Sequence, residues 1–279
     1  MLKSTLKTLL GEMPLTAETY WALRQRKRPT GGVNLEKLRR ALPRWRAQAE
    51  ASPLRGRKGK RVLLFTMLNY WTEHAALLGM ALAGLGHRVT LAYLPYNKWQ
   101  KPLDRFDRRR QDAYTRSVLQ SAAPLVEVVS FLPEVSAALP DSLQRELDTL
   151  TLQDVQYTLQ VEEVDPESPL YRLRSLRNRH AAQAAWAYIG HSRPDVLITP
   201  NGSILEFGAV YRVARYLGIP AVTYEFGEQR QRIWFAQNGE VMQQETDAMW
   251  DALGDIPLTE AETRRVRELF TARQKGSLW

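Results

Sequence analysis

Residues 61–95, RVLLFTMLNYWTEHAALLGMALAGLGHRVTLAYLP, constrain the fold more than any other part of this chain. The run 62–67 carries no charge, the pattern of a strand buried on both faces of a parallel sheet. Residues 75–85 are helix formers, with Gly84 and Gly86 placed to let the chain leave in a left-handed conformation. A second apolar run, 88–94, follows. Strand, helix and strand so arranged predict a βαβ unit, whose binding chemistry falls to the loop after its first strand. That loop is expected at 69–74 and reads Asn69, Tyr70, Trp71, Thr72, Glu73, His74, with no glycine.

The missing glycines exclude a function class. A dinucleotide-binding first loop needs them so that the backbone can approach a pyrophosphate at the helix N-terminus. No G-x-x-x-x-G-K-[ST] phosphate loop occurs elsewhere in the chain either. Aromatic rings and a carboxylate beside an imidazole suit a neutral polyhydroxylated ligand instead. Rings stack on sugar faces, and Glu73 or His74 can accept a hydroxyl proton. The competing reading makes Glu73 a carboxylate favoured by the helix dipole and His74 plain polar surface.

Strand and helix patterns alternate through the rest of the chain. Helices are expected at 106–122, 140–161, 169–191, 204–217, 240–253 and 258–273, and strands at 125–132, 195–199 and 220–224. Thr259 and Glu262 have capping-box spacing. This alternation predicts an α/β class with a Rossmann-like doubly wound parallel sheet, order 3-2-1-4-5. The loops at 69–74, 200–203 and 225–230 then converge where the strand order reverses. Within them, Gly202 permits close backbone approach beside Asn201, and Ser203 can cap the next helix. Glu225 at the mouth of a parallel sheet is costly unless solvated, paired or used. Gly227 follows, and Arg230 can pair with Glu225 or with a phosphate. Glu206 and His180 read as structural. No Asp-x-Asp and no Cys/His set with metal-ligand spacing is present, so no metal site is expected.

The chain has no cysteine, which favours an intracellular setting. No apolar run reaches the roughly 18 residues of a membrane span, and the N-terminus lacks a signal-peptide pattern. Charge is uneven: residues 1–61 hold 16 Lys+Arg and 4 Asp+Glu, against 23 and 26 in the remainder. Residues 1–60 therefore read as a basic helical appendage and linker, attached to a domain over 61–279. Such a segment suits an anionic membrane surface or a solvated helical face. Nucleic-acid binding ranks behind both, because no base-reading motif organises the cations.

The stretches LAGLGHRVTLAYLP and PDVLITPNGSILEFGAVYRVARYLGIPAVTYEFGE resemble the N-terminal domain of GT-B glycosyltransferases, especially bacterial transferases of the capsule and surface-polysaccharide type. The tail MWDALGDIPLTEAETRRVRELFTARQKG resembles the lead into that family's interdomain linker, and the likeness covers most of 61–279. The resemblance implies a glycan or lipid-linked sugar acceptor bound on this domain, with 69–74, Asn201 and Glu225 lining the acceptor side. It implies a base, His74 or Glu73, that deprotonates the acceptor hydroxyl without a metal. It also implies a nucleotide-sugar held by a second Rossmann-like domain of roughly 100–150 residues. Only one sheet is readable before Trp279, so that domain is expected as a C-terminal domain or a partner polypeptide. No cofactor is then bound by this chain, and no sugar transfer is expected from it alone. The expected location is cytoplasmic, peripheral on the inner membrane face. The alternative is a non-catalytic Rossmann-like interaction module docking a partner chain through Trp71, Trp99, Trp234 and Phe235.

Overall fold

β1 (Arg61–Thr66) buries every side chain after its first residue. Alternate side chains point to opposite faces of a strand. Val62 and Leu64 accordingly enter one core, while Leu63 and Phe65 enter another. A strand so used has no room for a charge, which is why its sequence shows no alternation. The computed structural model describes residues 2–29, 32–227, 232–243 and 246–276.

β1 pairs in parallel with both β2 (Arg88–Tyr93) and β4 (Val196–Pro200). β3 (Val126–Ser130) extends the sheet beyond β2, and β5 (Ala221–Phe226) extends it beyond β4. The expected order 3-2-1-4-5 is present and continues into one further strand. β6 (Ile233–Gln237) runs antiparallel to β5 and makes the order 3-2-1-4-5-6. The sequence pattern predicts no strand at IWFAQ; its first three side chains are all exposed and show no alternating burial. The fold is Rossmann-like and doubly wound. α4 (Asn69–Gly84) and α5 (Arg105–Leu119) cover one face; α6 (Asp141–Leu159), α7 (Pro169–Ser192) and α8 (Leu205–Tyr216) cover the other.

Residues 1–60 do not stand apart as an appendage. α3 (Glu36–Glu50) lays Leu38 and Leu42 into the same core as Val62, Leu64 and Met80. Tyr114 of α5 accepts a hydrogen bond from Leu35 N–H at 3.0 Å and donates to Glu36 at 2.9 Å. α1 (Leu2–Glu12) and α2 (Thr16–Leu23) are tied to α5 by Arg109, which donates to the Gly11 carbonyl at 3.0 Å and to Glu18 at 2.9 Å. Their net charge is a surface property; Ala17, Trp21, Leu35, Leu38 and Leu42 are buried in the fold.

Two further expectations change. Gly84 lies inside α4, and a Cβ there would sit 3.2 Å from Ala49 Cα, so its role is close packing on α3. Gly86 alone takes the left-handed conformation, at φ 92°. The single helix expected over 240–253 is a short 3₁₀ turn at Val241–Gln243 and a separate α9 (Asp247–Leu253). α10 (Glu260–Gln274) begins with the Thr259–Glu262 capping box.

The second helical layer closes on a buried ion network. Arg174 of α7, 1% exposed, donates to Asp154 of α6 at 2.7 Å and to Glu206 of α8 at 3.0 Å. Asn178 accepts from the same guanidinium at 3.3 Å and donates to Thr151 at 3.1 Å. Burial raises the Asp154 carboxyl above its ordinary range, whereas the Arg174 charge holds Glu206 below its own against the pull of burial. Arg174→Met leaves two carboxylates buried without a cation. Urea denaturation is expected to show a loss of about 3–5 kcal/mol; a loss below about 1 kcal/mol would show that the pair is not desolvated.

Candidate functional site

Asn69 to His74 are helix, not loop. Leu68 stands before α4 at φ 64° and ψ 153°, a conformation that L side chains rarely adopt. Its N–H donates to Tyr96 O at 2.9 Å and its carbonyl accepts from Thr72 N–H at 3.0 Å, so the helix starts at once. The side chains therefore diverge at about 100° per residue instead of converging. Asn69 turns to the start of α3, where its Oδ1 accepts from Asn34 N–H at 2.8 Å. Glu73, one turn on, sits near Lys37, and burial raises its carboxyl above the ordinary range. Thr72 is buried behind β1, 3.5 Å from the Thr66 hydroxyl. Tyr70, Trp71 and His74 face β5.

Trp71 is 4% exposed, so it is not an open stacking platform. One face stacks on Phe226 at 4.5 Å between centroids, and its edges meet Tyr224 and Phe207. His74 lies against Tyr224 and Phe226, with Nδ1 3.3 Å from the Tyr224 hydroxyl. Burial lowers its imidazole below the ordinary value. The expected Glu73–His74 pair is thus divided between α3 and β5, and neither side chain lines the cleft described next.

That cleft, about 570 Å³, opens at the carboxyl ends of β1, β4 and β5. Tyr70, Trp71, Trp99, Tyr157, Asn201 and Glu225 line it, with Gln160. Tyr70 is 53% exposed and supplies the accessible ring on α4. Partial burial and the nearby Glu225 charge hold its phenol above the ordinary value. Asn201, at φ 55°, is 8% exposed and fully used. Its N–H donates to Tyr224 O at 2.8 Å, its Oδ1 accepts from Ser203 N–H at 2.9 Å, and its Nδ2 donates to Glu225 at 3.1 Å. The other Glu225 oxygen accepts from Phe226 N–H at 3.1 Å. The carboxylate is held in place by amide donors, with no cation on it among the described residues.

Other expected residues have different work. A Cβ on Gly202 would fall 2.6 Å from Thr223 Cγ2, so this glycine serves packing between β4 and β5. Ser203 caps nothing: Ile204 is the N-cap of α8, without a side-chain bond. Gly227 closes the β5–β6 hairpin by donating to Arg232 O at 2.9 Å. Arg230 lies outside the described residues. Among those described, no group of three His, Asp or Glu side chains gathers as a metal site would require.

Sequence reading missed Tyr157 and Gln160, which close the cleft from the C-terminal end of α6. The sequence carries no local signal for them; in the structure Gln160 ends that helix in a left-handed turn at φ 56°. Trp99 reaches the cleft because Arg177 grips its loop, donating to the carbonyls of Lys98 and Trp99 at 3.2 Å and of Lys101 at 2.8 Å. The same guanidinium lies 4.5 Å above the Tyr96 ring. No protein-family model matches the sequence, and a search of curated proteins finds no match.

The depressed His74 imidazole links stability to pH. The folded state takes up the proton less readily than the unfolded chain, so stability is unaffected above about pH 6.5 and falls as pH drops through that value. Melting curves at about pH 8 and about pH 5.5 should show the loss, and His74→Gln should shrink it. An equal loss in the variant would assign it to other groups.

Proposed function

We propose that this chain is the acceptor-binding domain of a GT-B glycosyltransferase acting on bacterial surface glycans. The observation that carries the reading is the cleft at the strand-order switch, where Tyr70, Trp99 and Tyr157 surround the anchored carboxylate of Glu225. Aromatic rings match the apolar faces of sugars, and a fixed carboxylate accepts hydroxyl protons. A switch-point cleft is where α/β sheets of this kind bind ligands. The glycine-free start of α4 leaves a pyrophosphate no backbone cradle there, which suits an acceptor site better than a donor site.

In this reading Glu225 takes the place first given to His74 and Glu73. It receives the proton of the acceptor hydroxyl as that oxygen attacks the anomeric carbon and the nucleotide departs. The nucleotide-sugar is held by a second Rossmann-like domain, in the same or another polypeptide. Tyr70→Ala should weaken binding of the acceptor oligosaccharide about tenfold by calorimetry, through loss of a stacking ring. Glu225→Gln should bind within a few-fold of the parent, yet lower turnover in the enzyme completed by its donor domain by at least about 10²-fold. Undiminished turnover in Glu225→Gln would remove the carboxylate from the chemistry.

Among the described residues no helix is long and apolar enough to cross a membrane. The reading places the domain at the cytoplasmic surface of an anionic membrane, where lipid-linked acceptors lie, through the basic face of residues 1–60. Arg40 and Arg44, one turn apart on α3, are both exposed. Each basic residue near such a surface contributes about 1 kcal/mol. Deleting 1–60 would strip Leu38 and Leu42 from the core, so charge reversal is the clean probe. Arg40→Glu with Arg44→Glu should reduce co-sedimentation with phosphatidylglycerol vesicles at least about tenfold. Unchanged co-sedimentation would dismiss the membrane role.

A further inference from the structure

The end of α2 and the turn after it, residues 23–28, read LRQRKR, and every residue of this stretch is exposed. The turn is built into the fold. Arg24 N–H donates to Tyr20 O at 3.0 Å and Arg26 N–H to Trp21 O at 3.1 Å. Gln25 N–H donates to Ala22 O at 3.0 Å and Lys27 N–H to Arg24 O at 3.2 Å. From beneath, the buried Trp21 donates its indole N–H to Lys27 O at 3.1 Å. Gln25 and Arg26 both stand at φ 55°, a left-handed conformation that residues other than glycine adopt at a cost. The hydrogen bonds around them hold it.

The side chains on this turn are not used inside the protein. The four carboxylates of residues 1–61 are committed elsewhere: Glu12 to Arg105, Glu18 to Arg109, Glu36 to Arg39 and Glu50 to Arg46. Arg24, Arg26, Lys27 and Arg28 therefore stand as four cations in five residues without a neighbouring acid to offset them. Beside them Leu23 is 78% exposed, more than any other large apolar side chain described. A nucleic-acid backbone or an acidic protein would satisfy the cations and offer Leu23 nothing. An anionic bilayer offers both, with phosphates at its surface and hydrocarbon directly below. Long basic side chains can reach back to the headgroups while an apolar neighbour goes deeper.

We propose that the 23–28 turn is where this chain enters an anionic lipid surface, with Leu23 inserted beneath the headgroups and Arg24, Arg26, Lys27 and Arg28 on the lipid phosphates. This rests on the membrane reading above and goes further: the α3 arginines draw the chain to the surface, and the turn penetrates it.

The test is co-sedimentation of the full chain with phosphatidylglycerol vesicles and, separately, with phosphatidylcholine vesicles. Leu23→Ser is compared with a variant combining Arg24→Gln, Arg26→Gln, Lys27→Gln and Arg28→Gln. Leu176→Ser, at a 68% exposed leucine on the other face of the sheet, is the control. All these side chains are exposed, so a parent-like melting curve certifies each fold. The parent should bind phosphatidylglycerol and leave phosphatidylcholine in solution. Leu23→Ser and the glutamine variant should each bind at least about tenfold more weakly, and Leu176→Ser as the parent does. Undiminished binding in both turn variants overturns the inference and leaves the Arg40–Arg44 face as the contact. Loss in only one of them overturns it as well, since the charge and the insertion are both required. A parent that binds neither vesicle overturns the inference together with the membrane reading. Binding of duplex RNA in its place, weakened in the glutamine variant alone, would assign the turn to nucleic acid.

Discussion

A parallel sheet must be covered on both faces, and one point in this chain has to divide the covering between them. β1 passes its chain to α4 on one face, while its neighbour β4 passes its chain to α8 on the other. The two helices diverge and leave an opening above the strands they follow. Trp71 stands in that divergence. It reaches Phe207 of α8 on one side and Phe226 of β5 on the other, so it fills the bottom of the gap and leaves the top open. The cleft is thus the unfilled part of a junction that the topology requires.

What keeps the junction in register is electrostatic on one side and steric on the other. α8 is anchored through Glu206 to Arg174 and, through Arg174, to α6. Charges buried in this way bring little net stability against an apolar core of equal volume. They do fix three helices at defined azimuths, because a guanidinium donates to carboxylates along the directions of its planar N–H fork. On the other side α4 lies close on the sheet, and a Cβ on Gly79 would sit 3.2 Å from Leu64 Cδ1. The strained backbone of Leu68 is held by its hydrogen bonds to Tyr96 O and from Thr72 N–H.

The sheet was legible because burial on both faces writes itself as uncharged runs, and 62–67, 89–94, 196–199 and 220–224 all carry that mark. β6 was not, since a strand at an exposed edge obeys no such pressure. At the cleft, Glu225 could be read from the cost of a carboxylate at a sheet mouth, and Tyr70 from its place after β1. Glu73 and His74 misled because a helix that starts with only two residues between it and its strand sends neighbouring side chains in different directions. Tyr157 and Gln160 lie far along the chain from β1, and nothing local in α6 announces that its end borders the cleft. The basic N-terminal residues misled in another way: net charge describes what water sees and is silent about the leucines beneath.

The grip of Arg177 on the 98–101 loop has a thermodynamic meaning. A connection without secondary structure usually keeps its conformational freedom until a ligand arrives, and ordering it then costs about 1–2 kcal/mol per residue. Here the carbonyls of Lys98, Trp99 and Lys101 are already occupied by one guanidinium, itself seated on Tyr96. The entropy of that wall is lost when the chain folds. A ligand entering beside Trp99 meets a surface of settled shape, so the wall selects by fit and does not adapt to what enters.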